Sequence, residues 1–336
     1  MADINADGKE EIIFGRADGI LVCLNEKGKT IWVKDLGHYI AGLSCGDING
    51  DEKLEIAVIT GDGKIFSLKD SGKRIWVKEY PREYAANDVI LLDINNNDKE
   101  EILVAMKDGV VLGFDDKGNK VFEKQLLKES ILHLKAGDLN DDREFELVLG
   151  GDNGTFMITD LSGKTLLQEK FSSKIIALGI FDINRDGYPE IIASDWDGTI
   201  KIMNFKGIIT EKKAGREILA DINGDGEKER IVRYWKKVII YKEDKEIWSE
   251  EYARWVSAID ANDITGDGKS EIIIGDLDKV VRIYNGNKDL LTAFRTLRAP
   301  FSIYSSDFDK DGRKEIIVIG EREIRIYRVK VEASST

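Results

Sequence analysis

Residues 3–15 read DINADGKEEIIFG, and this acidic loop running into an apolar stretch decides the fold. Seven further copies follow, at steps of 44, 46, 45, 44, 39, 42 and 44 residues. The eight loops begin at residues 3, 47, 93, 138, 182, 221, 263 and 307. Self-similarity at a near-constant step indicates a repeat protein in which each repeat is one supersecondary unit.

The pattern of apolar runs and turns within each repeat predicts four antiparallel strands. Its loop ends in Glu and enters a β-branched run such as EIAVIT from Glu55, which is typical of a buried strand. An Asp-Gly turn such as Asp62-Gly63 often follows, and Asp-Gly is a strong hairpin signal. No stretch has helical periodicity.

Four strands in about 44 residues match the size of one propeller blade. We therefore predict an all-β protein, an eight-bladed β-propeller that forms a single domain over residues 1–336. Seven blades remain the alternative, because the first repeat lacks its first strand and the eighth lacks a clear last one.

The spacing of the loop predicts a metal site between the first and second strand of each blade. Counted from the first Asp, positions one, three, five and nine carry oxygen-bearing side chains, and position seven offers a backbone carbonyl. Calcium takes roughly six to eight oxygen ligands. A simpler interpretation of these residues is that Asp and Asn favour turns, but that preference explains one or two copies of the spacing and not eight.

The sequence thus predicts up to eight Ca²⁺ ions as cofactors. The predicted ligands, with position seven contributing its backbone only, are Asp3, Asn5, Asp7, Lys9, Glu11, Asp47, Asn49, Asp51, Lys53, Glu55, Asp93, Asn95, Asn97, Lys99, Glu101, Asp138, Asn140, Asp142, Glu144, Glu146, Asp182, Asn184, Asp186, Tyr188, Glu190, Asp221, Asn223, Asp225, Glu227, Glu229, Asp263, Thr265, Asp267, Lys269, Glu271, Asp307, Asp309, Asp311, Arg313 and Glu315.

The eight loops differ in charge and in backbone freedom. The loop from Asp307 has four carboxylates at its ligand positions and is predicted to bind tightest, whereas the loop from Asp93 has two and is predicted to be weakest. Position six favours glycine, which turns sharply without a Cβ clash. Asp98 replaces that glycine in the third loop, which adds to the prediction of a weak site there, and Glu52 and Arg143 also replace it.

The acidic balance of the chain resides in these loops. The side chains at positions one, three, five and nine account for 24 of the 63 acidic residues, so the other 39 acidic residues face 50 basic residues and the chain without those ligands is net +11. Eight Ca²⁺ ions would shift the net charge from −13 to +3. The acidic balance predicts no nucleic-acid partner. No apolar run approaches about 18 residues, so no membrane span is predicted.

The D-x-[DN]-x-D-G-x-x-E loop with its following strand resembles the FG-GAP or VCBS repeat of integrin α-subunit propellers, over essentially the whole chain. The phenylalanyl-glycyl and glycyl-alanyl-prolyl signatures are not clear, so the likeness is closer to the microbial VCBS type. The resemblance implies calcium at positions one, three, five, seven and nine. Few Pro, Met and His beside abundant Lys, Glu and Ile favour a thermostable, archaeal or thermophilic origin.

Two further features have competing interpretations. The segments Gly28–Trp32 and Gly72–Trp76 faintly resemble quinoprotein repeats, but we favour aromatic packing between neighbouring sheets. Cys23 and Cys45 either pair or stay free as small buried side chains.

Function is predicted from what the chain offers outside the loops. His38 and His133 lie in different repeats, and we find no nucleophile, phosphate-loop or zinc signature. We therefore predict no catalytic or other cofactor-binding residues, and a non-enzymatic module that binds a protein or carbohydrate, with structural calcium. A polysaccharide-lyase-like enzyme and an intracellular assembly scaffold are the alternatives.

The predicted location is extracellular or at the cell surface, where calcium is millimolar, with any export signal upstream because the chain begins inside the first repeat. The predicted binding face is opposite the acidic loops. Aromatic and Arg side chains are typical of binding hot spots, and those predicted on this face are Tyr39, Tyr80, Tyr84, Trp196, Tyr234, Trp235, Tyr252, Arg254 and Trp255.

Overall fold

The computed structural model describes residues 2–25, 27–184, 186–213, 217–307, 311–321 and 323–328. These ranges contain thirty β-strands and one 3-10 turn at Arg82–Tyr84, with no α-helix among them. No helix of the described residues is long and apolar enough to cross a membrane. The all-β prediction is confirmed.

The chain divides into two compact units, Met1–Ile175 and Ile176–Thr336, and the prediction of one domain over 1–336 stays a prediction. The strands of the first unit are β1 (Ile12–Gly15), β2 (Ile20–Leu24), β3 (Thr30–Asp35), β4 (Ile40–Gly46), β5 (Glu55–Thr60), β6 (Lys64–Leu68), β7 (Arg74–Glu79), β8 (Ala86–Leu92), β9 (Glu101–Met106), β10 (Val110–Phe114), β11 (Lys120–Gln125), β12 (Ile131–Gly137), β13 (Glu146–Gly151), β14 (Thr155–Asp160) and β15 (Thr165–Lys170).

The second unit continues the same series. Its strands are β16 (Ile175–Phe181), which begins one residue before the boundary, β17 (Glu190–Asp195), β18 (Thr199–Asn204), β19 (Gly207–Lys213), β20 (Glu217–Ala220), β21 (Glu229–Tyr234), β22 (Lys237–Lys242), β23 (Lys245–Glu251), β24 (Val256–Asn262), β25 (Glu271–Asp276), β26 (Val280–Tyr284), β27 (Leu290–Arg295), β28 (Pro300–Ser306), β29 (Glu315–Gly320) and β30 (Glu323–Arg328).

Consecutive strands form eight antiparallel sheets, one for each acidic loop. Six sheets have four strands in sequence order, from β4–β7 to β24–β27. The described strands of the first sheet are β1–β3 and those of the last are β28–β30. The structure therefore has the predicted four-strand repeat, with three strands among the described residues of the first and of the last repeat.

The β-branched runs after the loops are buried on both faces. In β5, Ile56 and Val58 belong to a core cluster shared with the first sheet, whereas Ala57 and Ile59 belong to a cluster shared with the third. A strand covered on both faces reads as a continuous apolar run rather than an alternating one. Burying each such aliphatic side chain stabilises the fold by about 1.5–3 kcal/mol.

Sheets of the second unit also pack through apolar side chains. Ile273 of β25 lies in a cluster with Ile316 and Val318 of the eighth sheet. Ile192 of the fifth sheet packs in a cluster with Ile317 of the eighth. In the first unit the sheets that share such clusters are consecutive in sequence, whereas in the second unit the fifth sheet shares a cluster with the eighth.

Strand direction separates two ends of every sheet. An acidic loop precedes β1 and lies between the first two strands of each later sheet, as between β4 and β5. The Asp-Gly turns join the next two strands, as at Asp62-Gly63 between β5 and β6. Because neighbouring strands are antiparallel, these turns lie at the opposite end of their sheet from the acidic loop, as do the connections to the following sheet.

Candidate metal centre

The eight loops share one hydrogen-bond plan. In the second loop, the carboxylate of Asp47 accepts the backbone N–H of Gly50 at 2.7 Å, of Asp51 at 3.1 Å and of Glu52 at 2.9 Å. The N–H of position six donates to the Asp at position one in all eight loops. Successive N–H groups around one carboxylate form an anion-binding nest, so each loop stabilises its own first Asp.

The nest depends on left-handed backbone at positions four and six. Glu52 (φ 67°), Asp98 (φ 62°) and Arg143 (φ 69°) adopt at position six the conformation that glycine adopts in the other loops, so the three loops without that glycine keep the same backbone there. Their side chains add a cost of about 1–2 kcal/mol each. The left-handed position four was missed by the sequence analysis, although its signal is present as Gly50, Gly224 and Gly266.

The Glu at position nine anchors the loop to its own strand. Glu55 is buried; its Oε2 accepts the N–H of Ile48 at 3.2 Å, and its Oε1 accepts the side-chain amide of Asn49 at 2.6 Å. The same N–H bond from position two occurs in the other described copies, in loops one and three to seven. The side-chain amide at position three therefore donates a hydrogen bond to the Glu at position nine, and its oxygen atom remains a possible metal ligand.

Burial also changes the acidity of these glutamates. Desolvation, followed by the neighbouring Asp51 carboxylate, raises the pKa of Glu55 above its usual value. Desolvation is the leading cause of a raised pKa for Glu101, Glu146, Glu190 and Glu271 as well. The loops thus hold carboxylates that repel one another when no cation is present.

The donor chemistry of the loops fits a hard cation, although the side chains do not form a closed cage. Positions one, five and nine supply carboxylates and position three an amide or hydroxyl oxygen, which are the ligand types that calcium prefers. Across the described residues, no three His, Cys, Asp or Glu side chains converge with metal-ligand geometry. In each loop the position-seven N–H donates to the position-five side chain, and the carbonyl ligands at position seven stay predictions.

The fifth and eighth loops border one cavity of about 450 Å³ in the second unit. Asn184, Asp186 and Glu190 line it from the fifth loop, and Ser306 and Asp307 line it from the eighth repeat. The Oδ1 atom of Asp307 is buried and has no hydrogen-bond partner among the residues that the structure describes. An unpartnered buried carboxylate oxygen is the kind of atom that a bound cation satisfies. The predicted ligand Asp309 lies outside the described residues.

Among the described residues, basic side chains on β22 and β30 pair with loop carboxylates, which the sequence analysis missed. The Nζ atom of Lys242 pairs with Asp225 and lies 3.5 Å from Glu227 and 3.7 Å from Glu229. The hydrogen bond with Asp225 raises the pKa of Lys242 and lowers that of Asp225. In the eighth repeat the Nε atom of Arg328 donates to Oε1 of Glu315 at 3.1 Å. The eighth loop, predicted to bind calcium most tightly, therefore has a guanidinium on one of its carboxylates.

Aromatic side chains lie at the opposite ends of the sheets. Trp235 is 72% exposed and Trp255 is 51% exposed, and their rings meet edge to face at a centroid distance of 5.0 Å. Trp196, Tyr234, Tyr39 and Tyr84 are also exposed, whereas Tyr80 is half-buried against Phe114. One expectation was wrong, because Tyr252 is only 7% exposed and packs against Tyr284 and Arg282.

Family models match two parts of the chain. Residues 1–36 match the lambda-carrageenase beta-propeller domain, and residues 263–318 match the FG-GAP-like repeat. None of the curated protein sequences compared with this chain matches it.

Solved structures resemble the whole chain. BBS1N in complex with ARL6DN has a TM-score of 0.55 at 11% identity, over 99% of this chain and 91% of that one. BamB from Moraxella catarrhalis has a TM-score of 0.53 at 15% identity, over 96% and 93%. Sqt1 of Saccharomyces cerevisiae has a TM-score of 0.52 at 9% identity, over 96% and 94%.

The sheets, the repeats and these likenesses define a repeat protein of the β-propeller fold. Within it, the segment that spans the seventh and eighth loops is similar to FG-GAP repeats, as the loop motif predicted. The likeness to integrin propellers and the thermophilic origin stay predictions.

Proposed function

We propose that this protein is a calcium-stabilised β-propeller, of eight blades, that binds a protein or carbohydrate ligand through aromatic side chains opposite its acidic loops. The observation that carries the proposal is the exposed pair Trp235 and Trp255. The two rings contact each other, and more than half of each side chain is exposed to solvent. Exposed tryptophans held in a fixed mutual geometry provide apolar contact area at little conformational cost.

Calcium would be held by positions one, three, five and nine of the loops, and it would neutralise carboxylates that otherwise repel one another. The support for this role is the oxygen-only donor set, the raised pKa of five of the position-nine glutamates and the unpartnered Oδ1 of Asp307. Open, solvent-exposed loops of this kind suit the weak calcium affinities of extracellular modules. We therefore place the protein outside the cell or at its surface.

The ligand surface combines aromatic and charged groups. Arg254, next to Trp255, is exposed and pairs with Asp278 at 3.3 Å. Outside the loops the chain is net basic, which favours an acidic ligand. The match of residues 1–36 to a lambda-carrageenase propeller domain supports a carbohydrate, and the complex of BBS1N with ARL6DN supports a protein partner.

Binding by the wild-type chain and by the double variant Trp235→Ala/Trp255→Ala tests the proposal. The carbohydrate arm titrates λ-carrageenan and neutral agarose oligosaccharides against intrinsic fluorescence, and the protein arm selects a displayed peptide library on calcium-loaded protein. We expect the double variant to bind the selected ligand at least about tenfold more weakly, a loss of about 1.4 kcal/mol. Tyr188→Ala is the matched control, because Tyr188 is an exposed aromatic at the acidic-loop end.

Equal binding by the wild-type and double-variant proteins would refute this surface. Both variants are expected to keep the free energy of unfolding within about 0.5 kcal/mol, because the replaced side chains are exposed.

An enzyme acting on polysaccharides is the second candidate, favoured by the same match of residues 1–36. Incubation of λ-carrageenan with the calcium-loaded protein, followed by measurement of new reducing ends and of unsaturated products, separates the two. Cleavage that EDTA abolishes would replace the binding-module proposal, and an unchanged polymer would support it.

A further inference from the structure

The sixth loop already holds a cation of its own. Lys242 is the last residue of β22, and its Nζ atom reaches three carboxylates, those of Asp225, Glu227 and Glu229. Two of them, at positions five and nine, are predicted calcium ligands. Glu229 is completely buried, while Lys242 stays partly exposed. The ammonium group therefore lies among the oxygens that would face a metal ion.

The sixth repeat differs in this respect from the second, third, fourth and seventh repeats, in whose described residues no such ammonium group pairs with the loop. In loops two, three, four and seven, no described Lys or Arg forms an ion pair with the carboxylates at positions one, five and nine. The second repeat carries Lys69 at the same register position, one residue beyond the Ile56–Leu68 pair, but Lys69 forms none of the described ion pairs. The seventh repeat has Asn285 there, one residue beyond the Ile272–Tyr284 pair.

A tethered ammonium competes directly with a free metal ion. Lys242 is covalently part of the strand that pairs with β21, so its effective concentration at the loop is far above that of a dissolved ion. It also compensates the charge of the buried Glu229, whose burial alone would be costly. Calcium would have to displace this side chain before it could reach positions five and nine.

We propose that Lys242 takes the place of calcium in the sixth repeat, so that this loop is closed without metal and the chain binds one calcium ion fewer than its loops predict. The inference rests on the proposed calcium role of the other loops. The same statement is not made for the eighth loop, where Arg328 donates to Glu315 and where Asp309 lies outside the described residues.

The test is the number of calcium ions bound per chain, measured by isothermal titration of EDTA-stripped protein. Lys242→Asn installs the residue of the seventh repeat, and we expect it to bind one Ca²⁺ more than wild type. Lys242→Arg, which keeps the charge, and Lys69→Asn, which removes a lysine from the same register position, are expected to match wild type. Adding Asp221→Asn to Lys242→Asn is expected to abolish the extra ion and so locates it in the sixth loop.

Thermal unfolding supplies a second readout. Without metal, Lys242→Asn is expected to unfold at a lower temperature than wild type, and calcium is expected to restore it, whereas Lys69→Asn does neither. An unchanged ion count for Lys242→Asn, while wild type binds calcium, overturns the inference and leaves the proposed function intact. A wild-type chain that binds no calcium overturns the proposed function. In that case, a single calcium ion gained by Lys242→Asn would still support the inference about Lys242. No gain by Lys242→Asn would overturn that inference as well.

Discussion

The indole Nε1 of Trp32 donates a hydrogen bond to the backbone carbonyl of Asp70 at 2.8 Å. Trp32 lies on β3, the outer strand of the first sheet, and Asp70 lies in the turn after β6 of the second. Trp76 repeats the relationship with the carbonyl of Asp116 at 3.2 Å. These tryptophans therefore link neighbouring sheets, which confirms aromatic packing as the interpretation of the GKxxW segments.

Trp32→Phe is expected to lower the free energy of unfolding by about 1 kcal/mol, because it removes one inter-sheet hydrogen bond while keeping much of the apolar contact. Chemical denaturation measures the loss. The control is Trp235→Phe, whose ring is exposed and forms no described hydrogen bond; a similar loss there would show that ring size, and not the bond, is responsible.

Glu52→Gly is expected to stabilise the second loop by about 0.5–1 kcal/mol, because Glu52 adopts φ 67°, a conformation that glycine enters without steric cost. Glu52→Ala retains the Cβ atom and is the matched control. Equal unfolding midpoints for the two variants in urea, with EDTA present, would contradict the backbone explanation.

Removal of calcium is expected to lower the melting temperature markedly. A site at about 100 times its dissociation constant contributes about 2.7 kcal/mol to stability. Differential scanning calorimetry with EDTA and with millimolar calcium measures the difference, and magnesium serves as the control ion. An identical melt in all three conditions would argue against structural calcium.

The loops are expected to contribute unequally to that difference. Asp311→Ala removes one carboxylate from the loop with the most carboxylates at its ligand positions, whereas Asn95→Ala removes an amide from the loop with the fewest. We expect Asp311→Ala to reduce the calcium-dependent gain in melting temperature more than Asn95→Ala does. The reverse order would show that Arg328, which binds Glu315, already neutralises the eighth loop.

The two cysteines are free thiols, Cys23 fully buried and Cys45 partly so. Burial raises the pKa of both thiols to about 11, from 9.0 in the unfolded chain. We expect a thiol reagent at pH 8 to react far more slowly with the native protein than with the protein in denaturant. Because the folded pKa is the higher one, the stability that these thiols contribute is complete below pH 9 and is lost as the pH rises through about 11. Rapid reaction of both thiols in the native state would contradict this.

Much of the fold followed from local sequence alone. The run after the second loop is apolar from Ile56 to Ile59, and β5 is buried on both faces as such a run predicts. The Asp-Gly pairs mark hairpins because they favour left-handed backbone, as Gly63 shows at φ 95°. These signals are readable because strand burial and turn geometry depend on residues within a few positions of each other.

The site was predicted less completely. The residue types at positions one, three, five and nine were read from the sequence, but the role of Glu55 as an acceptor for Ile48 and Asn49 was not. The burial of Tyr252 was also missed, since it arises from packing against Tyr284, 32 residues further along the chain. Local spacing identifies which side chains carry oxygen, and only packing decides which of them face solvent.

The sequence by itself determined the number of repeats, the strands and the acidic loops, because each of these is a property of consecutive residues. Only the tertiary structure decided which charges and rings meet. Lys242 reaches Asp225 across 17 residues because the pairing of β21 with β22 sets their register. Trp235 meets Trp255 because two connections emerge at the same end of neighbouring sheets. Strand register and sheet packing act between distant residues, so no window of sequence contains them.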